Sequence, residues 1–124
     1  MNGKDTVFYQ VPISDKSKIK VISFWKDNAS KQFLEQYSRV EKLVPKEVSV
    51  EKITGNEVEK EAIQTYRVAP LKKGNAIIPS TEQLVLLDKK GYIRGLYEAT
   101  NPEEIDRLTA EVKVLLDIYK KEEK

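Results

Sequence analysis

The side chains that could do chemistry in this 124-residue chain are carboxylates, lysine, tyrosine, serine and threonine, because the sequence contains neither cysteine nor histidine. These two absences exclude a disulfide, a cysteine nucleophile, a thiol redox pair, a zinc site of Cys and His ligands, and a serine–histidine–aspartate triad. Two members of a general acid/base pair could come from four carboxylates: Asp15, Asp27, Glu51 and Asp88. None stands in a catalytic motif, and chance proximity is common among 20 acidic residues, so we expect them on the solvated surface.

Charge gives little reason to expect a polyanionic partner. The 22 basic and 20 acidic residues leave a net charge of +2, with both signs interspersed, so neither nucleic acid nor an anionic membrane is predicted. The lysine pairs at 72–73, 89–90 and 120–121 are interpreted as solubilising charges rather than an anion site. No stretch approaches the roughly 20 apolar residues that span a bilayer, and the polar N-terminus does not resemble a signal peptide. The chain is therefore expected to be cytosolic, or to lack an export or anchor segment.

The apolar pattern predicts a single α/β domain over residues 1–119 and a charged, frayed tail over 120–124. Strands are predicted over 6–12, 19–25, 48–53, 84–88 and 92–97, and helical stripes over 29–44, 58–66 and 105–119. The second strand is nearly continuously apolar, as a strand buried on both faces would be. The resulting order, β-β-α-β-α-β-β-α, is thioredoxin-like and predicts a mixed central sheet with helices on both faces.

Local signals refine this outline. Residues 72–80 are interpreted as a loop, and the turn at 89–91 as that of a hairpin in which Asp88 supports the backbone. Each helix start has candidate capping residues, which are Asp27 or Asn28 for the first, Thr54 with Glu57 or Asn56 with Glu59 for the second, and Asn101, Pro102 and Glu104 for the third.

Three stretches of the chain resemble the Sco/SenC family. Residues 2–12 are similar to its entry strand and residues 18–25 to the strand that leads into its metal site. Residues 86–97 with Thr100 are the closest match, which continues through 104–108 and 112–116. The resemblance is specific at both ends and weak in the middle. The chain is several tens of residues shorter than the family domain, with the loss between Val44 and Ser80.

The resemblance implies a thioredoxin fold without the family's chemistry. Sco proteins are copper chaperones or thiol reductants of cytochrome oxidase assembly, and their ligands are a Cys-x-x-x-Cys at the start of the first helix and a distant His. Matched by position, the two cysteines correspond to Ala29 and Phe33 and the histidine to Ser80, or to Thr81 or Pro79 if the loop is shifted by one residue. Alanine, phenylalanine and serine cannot replace soft copper ligands. The expectation is a degenerate member with no metal, no cofactor and no catalytic activity.

Several residues at or near the positions matched to metal ligands allow two interpretations. Trp25 either stacks a ligand or, as we expect, closes the top of the core, and Phe33 is expected to fill the vacated site. Pro79, Ser80 and Thr81 occupy the place of a peptide-docking loop, and we expect a trans bond before Pro79 because cis X–Pro bonds are only about 5–6% of the total.

Three hypotheses follow for function. The first is a protein-interaction or structural module beside envelope or respiratory assembly factors, with an unknown protein partner. The family's location would make it periplasmic, with a membrane tether outside this chain. The second is an enzyme or small-ligand binder that reuses the cleft through Trp25, Ser80, Thr81 and nearby carboxylates. The third is a shortened structural paralogue with no autonomous role.

Overall fold

Apolar residues at strand and helix spacing build a mixed α/β fold around a central sheet. The computed structural model describes residues 10–11, 18–26 and 30–122. Within these residues the elements in chain order are β1 (Lys20–Phe24), α1 (Lys31–Leu43), β2 (Ser49–Ile53), α2 (Val58–Gln64), β3 (Leu71–Lys73), β4 (Ala76–Ile78), a 3-10 turn (Ser80–Glu82), β5 (Gln83–Leu87), β6 (Ile93–Glu98) and α3 (Pro102–Glu122).

The main sheet has the strand order β2-β1-β5-β6. β1 pairs with β2 in parallel and with β5 in the antiparallel sense, and β5 and β6 form an antiparallel hairpin. All five residues of β1 are buried, which confirms the prediction of a strand covered on both faces. The half-buried strand predicted over 48–53 is confirmed as β2.

Helices cover both faces of the sheet, and each face has its own core. Helices α1 and α3 pack on the face that carries Val21, Leu84 and Leu86, while α2 packs on the face that carries Ile22 and Val85. The first core is the larger, with 15 buried residues against nine. The expectation of a mixed sheet with helices on both sides is confirmed.

The start of α1 differs from the prediction. The N-cap is Ser30, whose Oγ accepts a hydrogen bond from the Phe33 N–H at 3.1 Å. Asp27 and Asn28 were therefore the wrong caps, and both lie outside the described residues. Val44 ends the helix immediately before Pro45, as the sequence predicts.

Both capping boxes proposed for α2 are wrong. Its N-cap is Glu57, which makes no side-chain capping hydrogen bond. The φ and ψ of Glu57, −105° and 21°, are not the extended values that a side-chain cap adopts. The helix is held instead by burial of Val58 and Ala62 against the sheet, while Ile63 of its predicted stripe is exposed. Tyr66 is buried but lies beyond the helix end.

The segment interpreted as a loop over 72–80 contains a second hairpin. β3 and β4 pair through Lys73 and Ala76 around a two-residue turn, Gly74–Asn75. Gly74 has a φ of +62°, a positive value at the first turn position as in a type II′ turn. This hairpin is almost wholly exposed.

The hairpin predicted near the C-terminus is confirmed. Asp88 Oδ1 accepts hydrogen bonds from the Lys90 and Tyr92 N–H groups at 2.9 and 3.0 Å, and Gly91 has a φ of +91°. Asp88 therefore shapes the turn, as expected. Of the strand predicted over 6–12, the structure describes residues 10 and 11, and Gln10 forms an isolated antiparallel bridge with Tyr92.

The last helix begins as the sequence predicts, with one exception. Pro102 is its first residue, and Asn101 Oδ1 accepts from the Glu103 N–H at 3.0 Å. The predicted capping box is wrong, because Glu104 Oε1 accepts from the Glu98 N–H at 3.5 Å and pairs with Arg107. The helix continues to Glu122, past the predicted end at 119. None of the described helices combines the length and the apolar character needed to cross a bilayer.

Candidate functional site

The candidate site lies where the parallel strands β1 and β2 end. In open α/β sheets, ligands bind beyond the carboxyl ends of strands, where the chain connects to either side. Five side chains meet here, and we call them the β1-end cluster: Ser23, Trp25, Phe33, Tyr37 and Lys52. β1 and β2 bring Ser23 and Lys52 into register, and the first turns of α1 supply Phe33 and Tyr37.

Three aromatic rings form the body of the cluster. The Trp25 ring centroid lies 4.9 Å from that of Phe33 and 4.8 Å from that of Tyr37, both edge-to-face at 84° and 88°. Phe33 and Tyr37 are parallel with centroids 6.4 Å apart. Such pairs contribute about 0.5–1.5 kcal/mol beyond their burial. Phe33 is only 3% exposed, so its side chain is packed in the core under Trp25.

Ser23 is the hydrogen-bond partner of the Trp25 indole. Its Oγ accepts from Trp25 Nε1 at 2.8 Å and donates to the Glu51 carbonyl at 3.0 Å. A hydroxyl has one donor and two acceptor positions, so these two bonds use the Ser23 proton and one of its acceptor positions.

Tyr37 is unsuited to act as a base. Burial raises the pKa of its phenol, and the hydrogen bond with Ser23 lowers that pKa by less, while Glu41 raises it further. The phenol is thus neutral at physiological pH.

Lys52 supplies the positive charge of the cluster. Its Nζ lies 4.4 Å from the Trp25 ring centroid and 5.5 Å from that of Tyr37. Both distances allow cation–π attraction. Because Phe33 and Tyr37 are buried in the core and Trp25 is half-buried, the cluster is packed aromatic core with one ammonium group at its edge.

Ser80 begins the 3-10 turn before β5, and this turn lies at the same end of the sheet as the β1-end cluster. β5 runs antiparallel to β1, so the turn that precedes β5 lies near the end of β1. Ser80 is fully buried, and its Oγ donates to the Val68 carbonyl at 2.7 Å. Val68 belongs to the core on the α2 face, whereas Phe33 belongs to the core on the α1 face.

The predicted site residues are thus brought together only in part. Trp25 and Phe33 are in contact, while Ser80 is tied to the opposite face of the sheet. Thr81 is buried and the bond before Pro79 is trans. Ala29 lies outside the described residues.

The carboxylates weighed as an acid/base pair have separate partners. Glu51 Oε2 accepts from Ser49 Oγ at 3.1 Å and lies 3.7 Å from Lys20 Nζ. Asp88 is engaged in the hairpin turn and is buried, so the expectation of a solvated position is wrong for this residue. Asp15 and Asp27 fall outside the described residues. Across the part of the chain that is described, no three acidic side chains are grouped to hold a metal.

Sequence reasoning missed Ser23, Tyr37 and Lys52. One local signal for Ser23 was present, since a single serine inside the apolar run at 19–25 must bury its hydroxyl and find partners. Tyr37 stands four residues after Phe33 and so shares its helix face. Lys52 has no local signal, because its place depends on the pairing of β1 with β2.

No protein-family model matches the sequence, and no curated protein is significantly similar to it. What the chain does is therefore inferred from its fold and its contacts.

Proposed function

We propose that this chain is a non-catalytic, metal-free domain of the thioredoxin-like class, similar to the Sco/SenC proteins, that serves as a protein-interaction or structural module. The order of elements supports the fold class: a parallel β1-α1-β2 unit, then α2 on the opposite face, the β5–β6 hairpin and the helix α3. The short β3–β4 hairpin is not part of the thioredoxin-like order of elements.

The packing of Phe33 is the observation that carries the proposal. In the resemblance, this position holds a copper-binding thiolate, and here it holds a buried ring in edge-to-face contact with Trp25. Replacing it with a small side chain would leave a cavity that costs about 3–5 kcal/mol. Ser80, at the histidine position, gives its hydroxyl to the Val68 carbonyl. Both side chains stabilise the fold at positions that the resemblance matches to metal ligands.

The β3–β4 hairpin supplies the surface that an interaction module needs. Leu71 and Ile77 are 46% and 67% exposed, on opposite faces of the hairpin. Lys73 Nζ joins the hairpin to Glu98 of β6 at 3.0 Å. Exposed apolar side chains on a strand pair with open edges favour contact with another protein. The family resemblance would place that partner among envelope or respiratory assembly factors, on the periplasmic side of a membrane to which a segment outside this chain is anchored.

Copper titration tests the metal-free part of the proposal. We expect the unaltered protein to remove no Cu(I) from a coloured Cu(I)–bathocuproine disulfonate complex, whose absorbance should stay unchanged. The triple variant Ala29→Cys, Phe33→Cys, Ser80→His should gain one tight Cu(I) site if the three positions correspond to the family's ligands. The matched control Ala29→Ser, Phe33→Ser, Ser80→Asn removes the same ring without adding soft ligands and should gain none.

Each outcome of the titration decides a separate point. Stoichiometric, tight Cu(I) binding by the unaltered protein would overturn the metal-free function. A ligand triple variant that folds by circular dichroism yet binds copper no better than its control would overturn the resemblance.

Photo-crosslinking tests the interaction surface. A photoreactive amino acid at Ile77 should give one discrete adduct in cells, whereas the same group at Val114 of α3, which is 50% exposed, should give none. Adducts of equal yield at the two positions, or none at Ile77, would contradict an interaction through the hairpin.

A further inference from the structure

A cavity of about 370 Å³ lies at the end of the sheet opposite the β1-end cluster. The start of β1, the loop before β2, the β5–β6 turn and the last turns of α3 converge on it. Small-molecule sites in proteins span about 300–1,000 Å³. The cavity is therefore large enough for a compact organic molecule.

The floor of the cavity is apolar and ordered. Ile19 is buried in the first core, and Leu116 and Tyr119 are partly buried against that core. The Tyr119 hydroxyl accepts a hydrogen bond from the Lys89 backbone N–H at 3.2 Å, and this bond holds the ring in the floor of the cavity. An apolar body placed here would lie against one aromatic and two aliphatic side chains.

The rim of the cavity is positive. Lys18, Lys89 and Lys120 line it, against the single carboxylate of Glu47. Within residues 10–11, 18–26 and 30–122, none of the three ammonium groups has a carboxylate partner within 4.0 Å. Lys89 Nζ lies 4.5 Å from the Tyr119 ring centroid, so this charge is held over the floor.

The dipole of α3 opposes the binding of an anion at this cavity only weakly. The C-terminal end of a helix carries a partial negative charge, and α3 ends beside the cavity at Glu122. Lys120 and Lys121 in its last turn counter that charge. The lysine pairs interpreted from the sequence as solubilising charges thus place two of their members, Lys89 and Lys120, around one cavity.

We infer that this cavity binds a small organic anion, with an apolar body on the Ile19–Leu116–Tyr119 floor and a carboxylate or phosphate group among the lysines. Contact of an apolar body with this floor, together with charge-assisted hydrogen bonds from lysine, distinguishes such a ligand from an inorganic ion. The site is independent of the proposed interaction function, because it shares no residue with the β1-end cluster or the β3–β4 hairpin.

A nuclear magnetic resonance titration of the full chain with three probes tests the ligand chemistry. Naphthoate carries an apolar body and a carboxylate, naphthamide has the same body without charge, and acetate has the charge without the body. Naphthoate should shift the amide signals of Ile19, Lys89 and Tyr119, with an affinity at least about tenfold above that of either partial probe. Equal affinity for naphthoate and naphthamide, or no shift at these amides, would overturn the inference.

Charge-removing variants test the residues. The double variant Lys18→Gln, Lys120→Gln should weaken naphthoate binding about tenfold, since two charges at the rim are lost. Lys72→Gln, Lys73→Gln removes the same net charge from the distant β3–β4 hairpin and should leave the affinity within about twofold. An equal loss in both double variants would show a nonspecific charge effect and would refute the site.

Discussion

Gly95 in β6 lies directly under the ring of Tyr97, and we expect Gly95→Ala to destabilise the fold. A Cβ at residue 95 would lie 2.7 Å from Tyr97 Cζ and 2.8 Å from Cε2, with the hydroxyl oxygen closer still. Carbon atoms prefer separations of about 3.5–4.0 Å, so the ring must withdraw by roughly 0.8 Å or more.

The surroundings of Tyr97 resist that movement. The side chain is almost fully buried in the core under α3. The Arg107 guanidinium carbon lies 4.5 Å from the ring centroid, and the Glu104 carboxylate holds that guanidinium through two bonds of 2.9 and 3.0 Å. Overpacking of this kind costs about 1–3 kcal/mol, whereas replacing glycine gains only about 0.4–1 kcal/mol through the unfolded chain. The net loss should be about 1–2 kcal/mol.

Urea unfolding followed by far-ultraviolet circular dichroism measures this loss in a double-mutant cycle. In a Tyr97→Leu background the obstructing ring is gone, so Gly95→Ala should cost less than about 0.5 kcal/mol, a coupling of roughly 1 kcal/mol. Gly74→Ala is the control, because its Cβ meets no atom within 4 Å and its cost arises from the positive φ alone. A Gly95→Ala protein as stable as the parent, or an equal cost in both backgrounds, would refute the reasoning.

Three further substitutions test single contacts. Ser80→Ala leaves the buried Val68 carbonyl without its donor and should lower the free energy of unfolding in urea by about 1–3 kcal/mol; a change under about 0.5 kcal/mol would contradict that role. Asn101→Ala removes the cap of α3 and should cost about 0.5–2 kcal/mol in thermal unfolding, whereas Asn101→Asp, which keeps the acceptor, should cost little. The hydrogen bond from Arg107 is the main cause that lowers the pKa of Glu104 below its usual 4.5. Its ionised carboxylate therefore stabilises the fold above that pH and loses this effect as the pH falls through the folded-state pKa. Glu104→Gln should flatten the decline of the urea midpoint toward acid pH, and an unchanged slope would exclude the contribution.

β1, β2 and the C-terminal hairpin were predictable because their signals are local. The apolar run at 19–25 can be buried only as a central strand, and Asp88 with Gly91 encodes the turn within four residues. The start of α3 has the same character, since Asn101 and Pro102 suit the first two positions of a helix and little else.

The other boundaries could not be chosen from local chemistry. Asp27, Asn28 and Ser30 are all good N-caps, and the one used depends on where α1 packs. The β3–β4 hairpin has one local signal, because a Gly–Asn pair between two short segments is typical of a tight hairpin turn. The lysines of β3 hide that signal, since Leu71–Lys73 has no apolar alternation.

The two candidate sites depend on contacts between distant segments. The β1-end cluster needs the pairing of Ser23 with Lys52, and no pattern within either strand specifies that register. The cavity at the opposite end gathers Lys18, Lys89 and Lys120 from three separate elements. Sequence alone shows these lysines as surface charges, and only the fold places them together.

Trp25 is the sole tryptophan of the chain, and its setting gives the molecule an internal optical reporter. Its indole is hydrogen-bonded to Ser23, flanked by two rings and capped by the Lys52 ammonium. Fluorescence emission from this single indole will therefore respond to loosening of α1 from the sheet, and not to events in the core beneath α2. Comparing that signal with backbone ellipticity would reveal whether the two halves of the protein melt in one step.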